Sequence, residues 1–364
     1  MSSLPRNQIL LGDCVAQLAA LPAQSIDCIF ADPPYHLQLQ QALHRPDQSL
    51  VDAVDDDWDK FESAAVYDDF SRAWLAAAQR VLKPTGTLWV IGSYHNIYRM
   101  GQILSDLGYW LLNDIIWHKT NPMPNFRGTR FQNATETMLW AQPKRGAKYT
   151  FNYHALKHLN DGTQMQNVWH IPICTGGERL KDAEGHKAHA TQKPEALLYR
   201  VIAAATNAGD VILDPFFGTG TTGAVAKKMG RDFIGIERDE TYVAFARARI
   251  DAITPPDLPL EIFQTESKRS APRVKFGDLL AAQYFQIGEE LRDAKGKISA
   301  HILADGRLEW HGQRGSIHQM GVVAQNAAAC NGWDYWHAMR NNNWVVIDTV
   351  REAYRSAHGQ RNDT

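Results

Sequence analysis

Hydrophobic and polar positions along the first two-thirds of the chain fall into blocks that switch period. "SIDCIFAD", residues 25–32, is a short apolar run of strand length that stops at Asp-Pro-Pro-Tyr. Proline has no amide to donate and pushes the residue before it out of helical space, so this strand ends in a rigid corner. "YDDFSRAWLAAAQRVLKPTG" carries apolar residues at helical spacing up to Lys-Pro-x-Gly, and "TLWVIGS" reads as a buried strand. The alternation returns later with "PEALLYRVIAAATNAGD" as helix, "VILDPFFGTG" as strand and loop, "TTGAVAKKMG" as helix and "DFIGIERD" as strand. This pattern predicts an α/β fold with a mostly parallel, helix-flanked sheet over residues 1–252.

Two stretches break the pattern. The acidic segment through "DAVDDDWDKFES" reads as a solvated loop. Residues 253–275 are proline-rich and hold a basic cluster, Lys268, Arg269, Arg273 and Lys275, as linkers often do. Beyond them, residues 276–364 change to short strands, "GKISAHILADGRLEWHG", with a helix-like piece and the aromatic cluster "CNGWDYWHAM", which predicts a small α+β domain.

Composition adds bounds. With 364 residues, 44% of them hydrophobic, the chain can bury a large core and a smaller second one. Lys and Arg number 38 against 40 Asp and Glu, so a polyanionic partner must meet a local basic surface. Cys14, Cys28, Cys174 and Cys330 lack the CxxC or His/Cys clustering of a zinc site, so no metal is expected and a reducing cytoplasm fits best. No segment resembles a signal peptide, and no apolar run approaches the roughly 18 to 20 residues of a membrane span. A soluble, cytoplasmic protein is the expectation.

In "DVILDPFFGTGTTGAVA" a buried strand delivers Asp214 to its end, and Gly218 and Gly220 let the backbone turn tightly and approach a ligand before a helix begins. Glu237 closes the next strand at about the 20-residue spacing where an acid takes ribose hydroxyls in dinucleotide folds. The loop lacks the Gly-Lys-Ser/Thr of a phosphate-gripping P-loop, while Gly218, Gly220 and Gly223 keep NAD formally open.

Asp-Pro-Pro-Tyr together with the Phe-x-Gly-x-Gly loop resembles the motif pair of the amino-methyltransferases that use S-adenosylmethionine. "HATQKPEALLYRVI" ahead of the glycine loop matches their β-class order, in which the Asp-Pro-Pro-Tyr corner comes first. "FADPPYHLQL", "VIGSYHNIYR", "NPMPNFRGTRF", "GSIH" and "CNGWDYWH" are similar to the cell-cycle-regulated DNA adenine methyltransferases of bacteria, over nearly the whole chain. One departure is Ala190, where the family has proline before Thr-Gln-Lys-Pro.

The resemblance implies a Rossmann-like methyltransferase domain over 1–252, a DNA-recognition segment at about 119–187, a C-terminal DNA-binding domain over 276–364, and GANTC as the site. Asp32 and the carbonyl of Pro33, kept rigid with Pro34, would accept the two N–H groups of an adenine amine, and Tyr35 would stack on the base. Such a base must first be rotated out of the duplex. Phe216, Gly218, Gly220, Thr221 and Thr222 would hold the methionine part of S-adenosylmethionine and Glu237 its ribose, with Asp214 at the strand end behind them. Asp13 with Cys14 would lie near its adenine, although Asp13 reads equally as a helix cap. Lys193, with His189 and Thr191, would reach the methionine carboxylate, although Lys-Pro is also a common helix start.

For DNA, Lys119, Asn121, Asn125, Arg127 and Arg130 suit phosphate and base-edge contact, and Ser316, Asn331 and Trp333 are expected at the surface of the C-terminal domain. Trp336 fits its core better. The expected partner is double-stranded DNA at the nucleoid, with a homodimer left open. Cytosine ring-carbon methylation needs a nucleophilic cysteine, typically after proline, and no cysteine here follows one. An RNA amine methyltransferase, a cytosine amine methyltransferase and an NAD-binding protein remain as alternatives.

Overall fold

The computed structural model describes residues 4–35, 59–125, 128–182, 184–189, 191–254, 274–327 and 329–358. Residues 36–58, which include most of the acidic segment, lie outside the described residues, as do Arg127, Ala190, and Lys268, Arg269 and Arg273 of the expected linker. The chain divides into two units, Met1–Thr265 and Glu266–Thr364.

The first unit is built on eight strands: β1 (Gln8–Leu11), β2 (Ile26–Ala31), β3 (Leu82–Gly92), β4 (Trp110–Lys119), β5 (Thr135–Gln142), β6 (Val168–Ile171), β7 (Val211–Asp214) and β8 (Asp232–Glu237). They lie in the order β1-β8-β7-β2-β3-β5-β4-β6. Every neighbouring pair is parallel except the two made by β5, which runs against β3 and β4. Reversal of β5 brings its first residues to the edge where the other strands end. Thr137 therefore pairs with Gly92, and Glu136 with Trp117.

Helices α1 (Cys14–Ala20), α2 (Ala64–Val81), α3 (Ile97–Asp106), α4 (Tyr153–His158), α5 (Glu195–Ala205), α6 (Thr221–Lys228) and α7 (Glu240–Asp251) flank the sheet. Ser63 starts α2 by accepting the Val66 amide at 3.2 Å, and Pro84 lies just past its end. Its buried face is Tyr67, Ser71, Trp74, Leu75, Ala78 and Val81, at the spacing a helix needs to present one side. Along β2, Ile29 and Ala31 join one core with Leu18 and Trp74, while Cys28 and Phe30 join the other with Trp89 and Val225. Burying each such large apolar side chain contributes about 1.5–3 kcal/mol. Because α2 covers one face and α6 the other, the crossover direction switches between neighbouring β2 and β7. A crevice opens there, beyond the carboxyl ends of the strands.

The second unit is α+β. Strands β9 (Glu290–Arg292), β10 (Ser299–Ile302), β11 (Leu308–Trp310), β12 (Gln313–Gly315), β13 (His337–Arg340) and β14 (Asn343–Val346) form an antiparallel sheet in the order β12-β11-β10-β9-β13-β14. Its core, around Leu291, Ala300, Leu308 and Trp336, is shared with α8 (Phe276–Ala281), α9 (Ile317–Gln325), α10 (Gly332–Tyr335) and α11 (Ile347–His358).

Candidate active site

The crevice is a cavity of about 700 Å³. Asp32, Pro33, Pro34 and Tyr35 line it after β2, Asp214, Phe216, Gly218, Thr221 and Thr222 between β7 and α6, and Glu237 at the end of β8. Asp13 and Cys14 enter after β1, and His189, Thr191 and Lys193 enter ahead of α5. Of the residues picked for catalysis and cofactor, Gly220 alone is outside the lining.

The glycine loop is held from beneath. Asp214 accepts the Phe216 amide at 2.9 Å and the Thr222 hydroxyl at 2.6 Å, and burial pushes its carboxyl up to about 7. Gly220 sits at φ 77 as the cap of α6, and a Cβ there would lie 2.8 Å from the Ala246 methyl. Glu237 accepts the amides of Gly218 at 2.7 Å, Arg238 at 2.8 Å and Asp239 at 3.0 Å. Burial still raises its carboxyl above the usual range. A carboxylate offers about four lone-pair sites, so three amides leave room for one further donor.

Asp13 is the N-cap of α1, accepting the Ala16 amide at 2.9 Å, while also lining the cavity. The Cys14 thiol is pushed up to about 12 by burial and by Asp13, so it stays protonated at neutral pH. His189 is pushed down to about 4 by burial, Lys193 and Arg179; its Nδ1 accepts the Thr191 amide at 3.1 Å. It is therefore a neutral ring, set 4.7 Å from Tyr242.

At the corner, the Pro34 carbonyl accepts the Tyr67 hydroxyl at 2.7 Å and the Asn96 amide at 3.4 Å, and the Tyr35 amide donates to Asp59 at 2.6 Å. The backbone just after Pro33 is thus tied down at both Pro34 and Tyr35. Lys193 Nζ lies 2.6 Å from Asp32 Oδ2. The Tyr35 hydroxyl lies 3.0 Å from Asp32 Oδ1 and 2.9 Å from Glu136 Oε2. Lys119 Nζ pairs with Glu136 Oε1 at 2.7 Å, and Lys193 is 4.0 Å from Glu136. Burial raises the Asp32 carboxyl despite Lys193, whereas Lys193 and Lys119 together outweigh burial at Glu136 and lower it.

Three of these residues carry contacts that were not expected. Lys193, expected to reach a cofactor carboxylate, pairs with Asp32; Lys119, expected among the phosphate and base-edge contacts to DNA, is 12% exposed and pairs with Glu136; and Tyr35, expected as a stacking ring, has its hydroxyl between two carboxylates. The cause is common to all three. Buried carboxylates at one sheet edge must be paired, and these cations are within reach. Glu136 was not singled out from the sequence. Its signal is an acid at the head of the apolar strand "TETMLW", which shows its value only once β5 is known to run backwards. Asp59 and Tyr242, also in the lining, were missed because they come from distant segments.

Among the DNA candidates, Asn121 Oδ1 accepts the Ile173 amide at 2.8 Å, and exposed Arg130 donates to the Tyr94 hydroxyl at 3.3 Å. The Asn125 carbonyl accepts the Gly128 amide at 3.0 Å. Tyr94 and Phe131 are exposed nearby in sequence or contact, Phe131 fully. In the second unit Ser316 caps α9 in a capping box with Gln319, and Asn331 caps α10 and donates to Asp334 at 2.6 Å. The two caps converge, since a Cβ on Gly332 would fall 2.4 Å from the Ile317 carbonyl.

Trp333 departs from expectation. It is 6% exposed, against Phe276 and under the Arg351 guanidinium at 4.3 Å, because its helix turns the ring into the core of this unit, where its large apolar surface is buried. Trp336 is buried too, donating to the Ile317 carbonyl at 2.9 Å. Among the described residues no group of three or more potential ligands could hold a metal ion, and no helix is long and apolar enough to cross a membrane.

Residues 26–248 match the family described as DNA methylase, which joins N6 and N4 methyltransferases. The chain belongs to this DNA methylase family. Residues 262–360 of the methylase match a second family, described as restriction enzyme adenine methylase associated. The methylase is 48% identical over 348 residues to the type II methyltransferase M.HinfI of Haemophilus influenzae, covering 96% of each chain. It is 44% identical over 250 residues to the type II methyltransferase M2.DpnII of Streptococcus pneumoniae, covering 68% of this chain and 91% of that one.

The crystal structure of the M1.HpyAVI–SAM complex matches with a TM-score of 0.50 at 27% identity, over 67% of this chain and 98% of that chain. The PvuII DNA methyltransferase, cytosine-N4-specific, matches with a TM-score of 0.54 at 22% identity, over 72% of this chain and 91% of that chain, and shows the fold alone. The methylase is an S-adenosylmethionine-dependent DNA methyltransferase of the adenine-N6 type, with a Rossmann-like α/β sheet. The residues of the cavity fit that cofactor: an acid with a lone pair to spare, a close-approach glycine backbone and room for a nucleoside.

Proposed function

We propose that the methylase modifies N6 of adenine within GANTC in duplex DNA, after the target nucleotide has turned out of the helix into the Asp32 corner. The observation that carries this reading is that the Asp32 carboxylate and the glycine loop line one cavity. Bound there, S-adenosylmethionine supplies an electrophilic methyl group. The adenine amine is a poor nucleophile because its lone pair is delocalised into the ring. Asp32 and the Pro33 carbonyl accept its two hydrogens, which frees the lone pair toward the methyl group, and positioning and electrostatics supply most of the acceleration. Asp214 orients the loop, Glu237 takes the ribose, and Phe216, Gly218, Thr221 and Thr222 face the methionine part, with Gly220 making the turn that brings them there.

Turning the base out costs a few kcal/mol, which contacts inside the pocket must offset. Asn121, Asn125, Arg127 and Arg130 serve as DNA contacts of residues 119–187, and Ser316 and Asn331 as those of the C-terminal domain, 276–364. Adenine is favoured over cytosine because the corner opens with aspartate where the resemblance leads to serine in cytosine amine enzymes. GANTC, a tie to DNA replication and the cell cycle, residence at the nucleoid and a homodimer rest on the resemblance of the sequence motifs.

The test is transfer of tritiated methyl groups to a synthetic duplex with one GANTC site, to duplexes with one base of that site changed, and to RNA of the same sequence. Label should enter the first duplex only. Equal labelling of the changed duplexes would overturn the site, and preference for RNA would overturn the substrate.

A further inference from the structure

Three oxygens stand in a row at the corner: Asp32 Oδ1, the Tyr35 hydroxyl at 3.0 Å and Glu136 Oε2 a further 2.9 Å on. Both contacts are of hydrogen-bond length. A phenol has one proton, and ionised carboxylates have none. With both acids ionised, one proton serves two contacts, and the other contact sets a lone pair against a lone pair. The row is therefore one proton short of being fully bonded.

The reaction releases one proton at that spot. When N6 takes the methyl group, its lone pair becomes the new N–C bond, the sulfur keeps the pair of the bond that breaks, and the nitrogen is left positive with two hydrogens. One must leave, with its bonding pair returning to nitrogen. We propose that Asp32 Oδ1 takes this proton and that Glu136 is the positioning residue for the step, holding the Tyr35 hydroxyl proton on its own side so that Oδ1 faces a Tyr35 lone pair. The amine proton passes to Asp32 Oδ1, which then donates to the Tyr35 oxygen while Tyr35 goes on donating to Glu136 Oε2. The transfer breaks one N–H bond and forms one O–H bond, and the end state has a neutral amine and a protonated Asp32 with both short contacts bridged.

The surroundings suit the role. Among the described residues, Lys119, from the end of β4, and Lys193, ahead of α5, face Glu136 together with Tyr35 and Asp32. The two cations hold Glu136 ionised, so that it keeps the Tyr35 proton, while burial and the Glu136 charge raise the Asp32 carboxyl and with it its readiness to take a proton. This inference rests on the amine-methylation reading above.

The experiment is single-turnover methyl transfer by the full chain bearing Glu136→Gln, across pH, with cofactor and duplex affinities measured alongside. Glutamine keeps the shape and a contact to Tyr35 but not the charge that holds the Tyr35 proton away from Asp32. The single-turnover rate should fall about 10²-fold, as for loss of a general base, with both affinities within two-fold of wild type and a changed solvent deuterium isotope effect. Tyr35→Phe, which keeps the ring, should show the same deficit, and the double variant should be no worse than either single one. Tyr35→Phe alone keeps the test open should Glu136→Gln fold poorly.

A readout without cofactor is carbon-13 NMR titration of the Asp carboxylates, where removing the Glu136 charge should lower the Asp32 titration point. A Glu136→Gln rate and pH profile equal to wild type would overturn this role of Glu136, as would additive losses in the double variant. Asp32→Ala in the same assay separates the two ideas. If it is inactive while Glu136→Gln is normal, only the role of Glu136 fails; if it is active, the reading of the corner fails as well.

Discussion

Lys193 Nζ and Asp32 Oδ2 are 2.6 Å apart, on side chains 8% and 18% exposed, so the cation that precedes α5 is the counter-charge of the carboxylate that follows β2. Two segments distant in sequence thereby meet as one buried pair. Removing one partner of such a pair costs about 3–5 kcal/mol, because the other is left buried and uncompensated.

Lys193→Met should therefore act through Asp32. Lys193 lowers the Asp32 pKa, against burial that raises it. Without the lysine the carboxyl rises further, so a reaction that needs it ionised should lose more than ten-fold in rate at neutral pH and recover as pH is raised. A pH–rate profile checks this. A uniform loss at every pH would mean that the lysine acts elsewhere.

Glu237→Ala should raise the cofactor dissociation constant at least ten-fold, the order expected for hydrogen bonds to a charged group worth roughly 1.5 to 3 kcal/mol. It also frees the Gly218 amide, so the glycine loop should loosen. Calorimetry reads the constant directly, and an unchanged value contradicts the assignment.

The α/β alternation, the corner at Asp32 and the glycine loop before α6 were legible in the sequence because each is a local signal: an apolar period, a proline stop, a glycine turn. The reversed strand was not. Nothing local says that β5 runs against its neighbours, and only that reversal carries Glu136 to the edge where β2 ends. The pairing of Lys193 with Asp32 and of Lys119 with Glu136 was not legible for the same reason, since pairing depends on which strand ends meet. Trp333 was misjudged because an aromatic beside Asn and Gly reads alike as a surface platform or as a ring folded inward, and tertiary burial decides.

Asp214 gives the fold a pH dependence of known sign. Its folded pKa is raised from 3.8 to about 7, so between these values the folded state holds more protons than the unfolded one, and stability falls as pH rises. The slope should vanish above about 7. Asp214→Asn, neutral throughout, should remove this contribution, on the order of a few kcal/mol across the window. Urea melts of both proteins from pH 4 to 8 test it: the difference between them should grow with pH and then level, and a constant difference contradicts the burial argument.

In the second unit Trp333→Ala should destabilise by about 3–5 kcal/mol, as for other buried large side chains. Ser316→Ala should cost about 1 kcal/mol through the lost cap of α9. Thermal melting separates them. If Trp333→Ala melts like wild type yet loses duplex affinity, the ring serves DNA and not the core.

The most direct measurement is single-molecule sequencing of genomic DNA from cells expressing the wild-type chain or Asp32→Ala. The account predicts N6-methyladenine at GANTC sites with wild type and none with the variant. Methylation on cytosine, at adenines without regard to GANTC, or persisting in Asp32→Ala would contradict it.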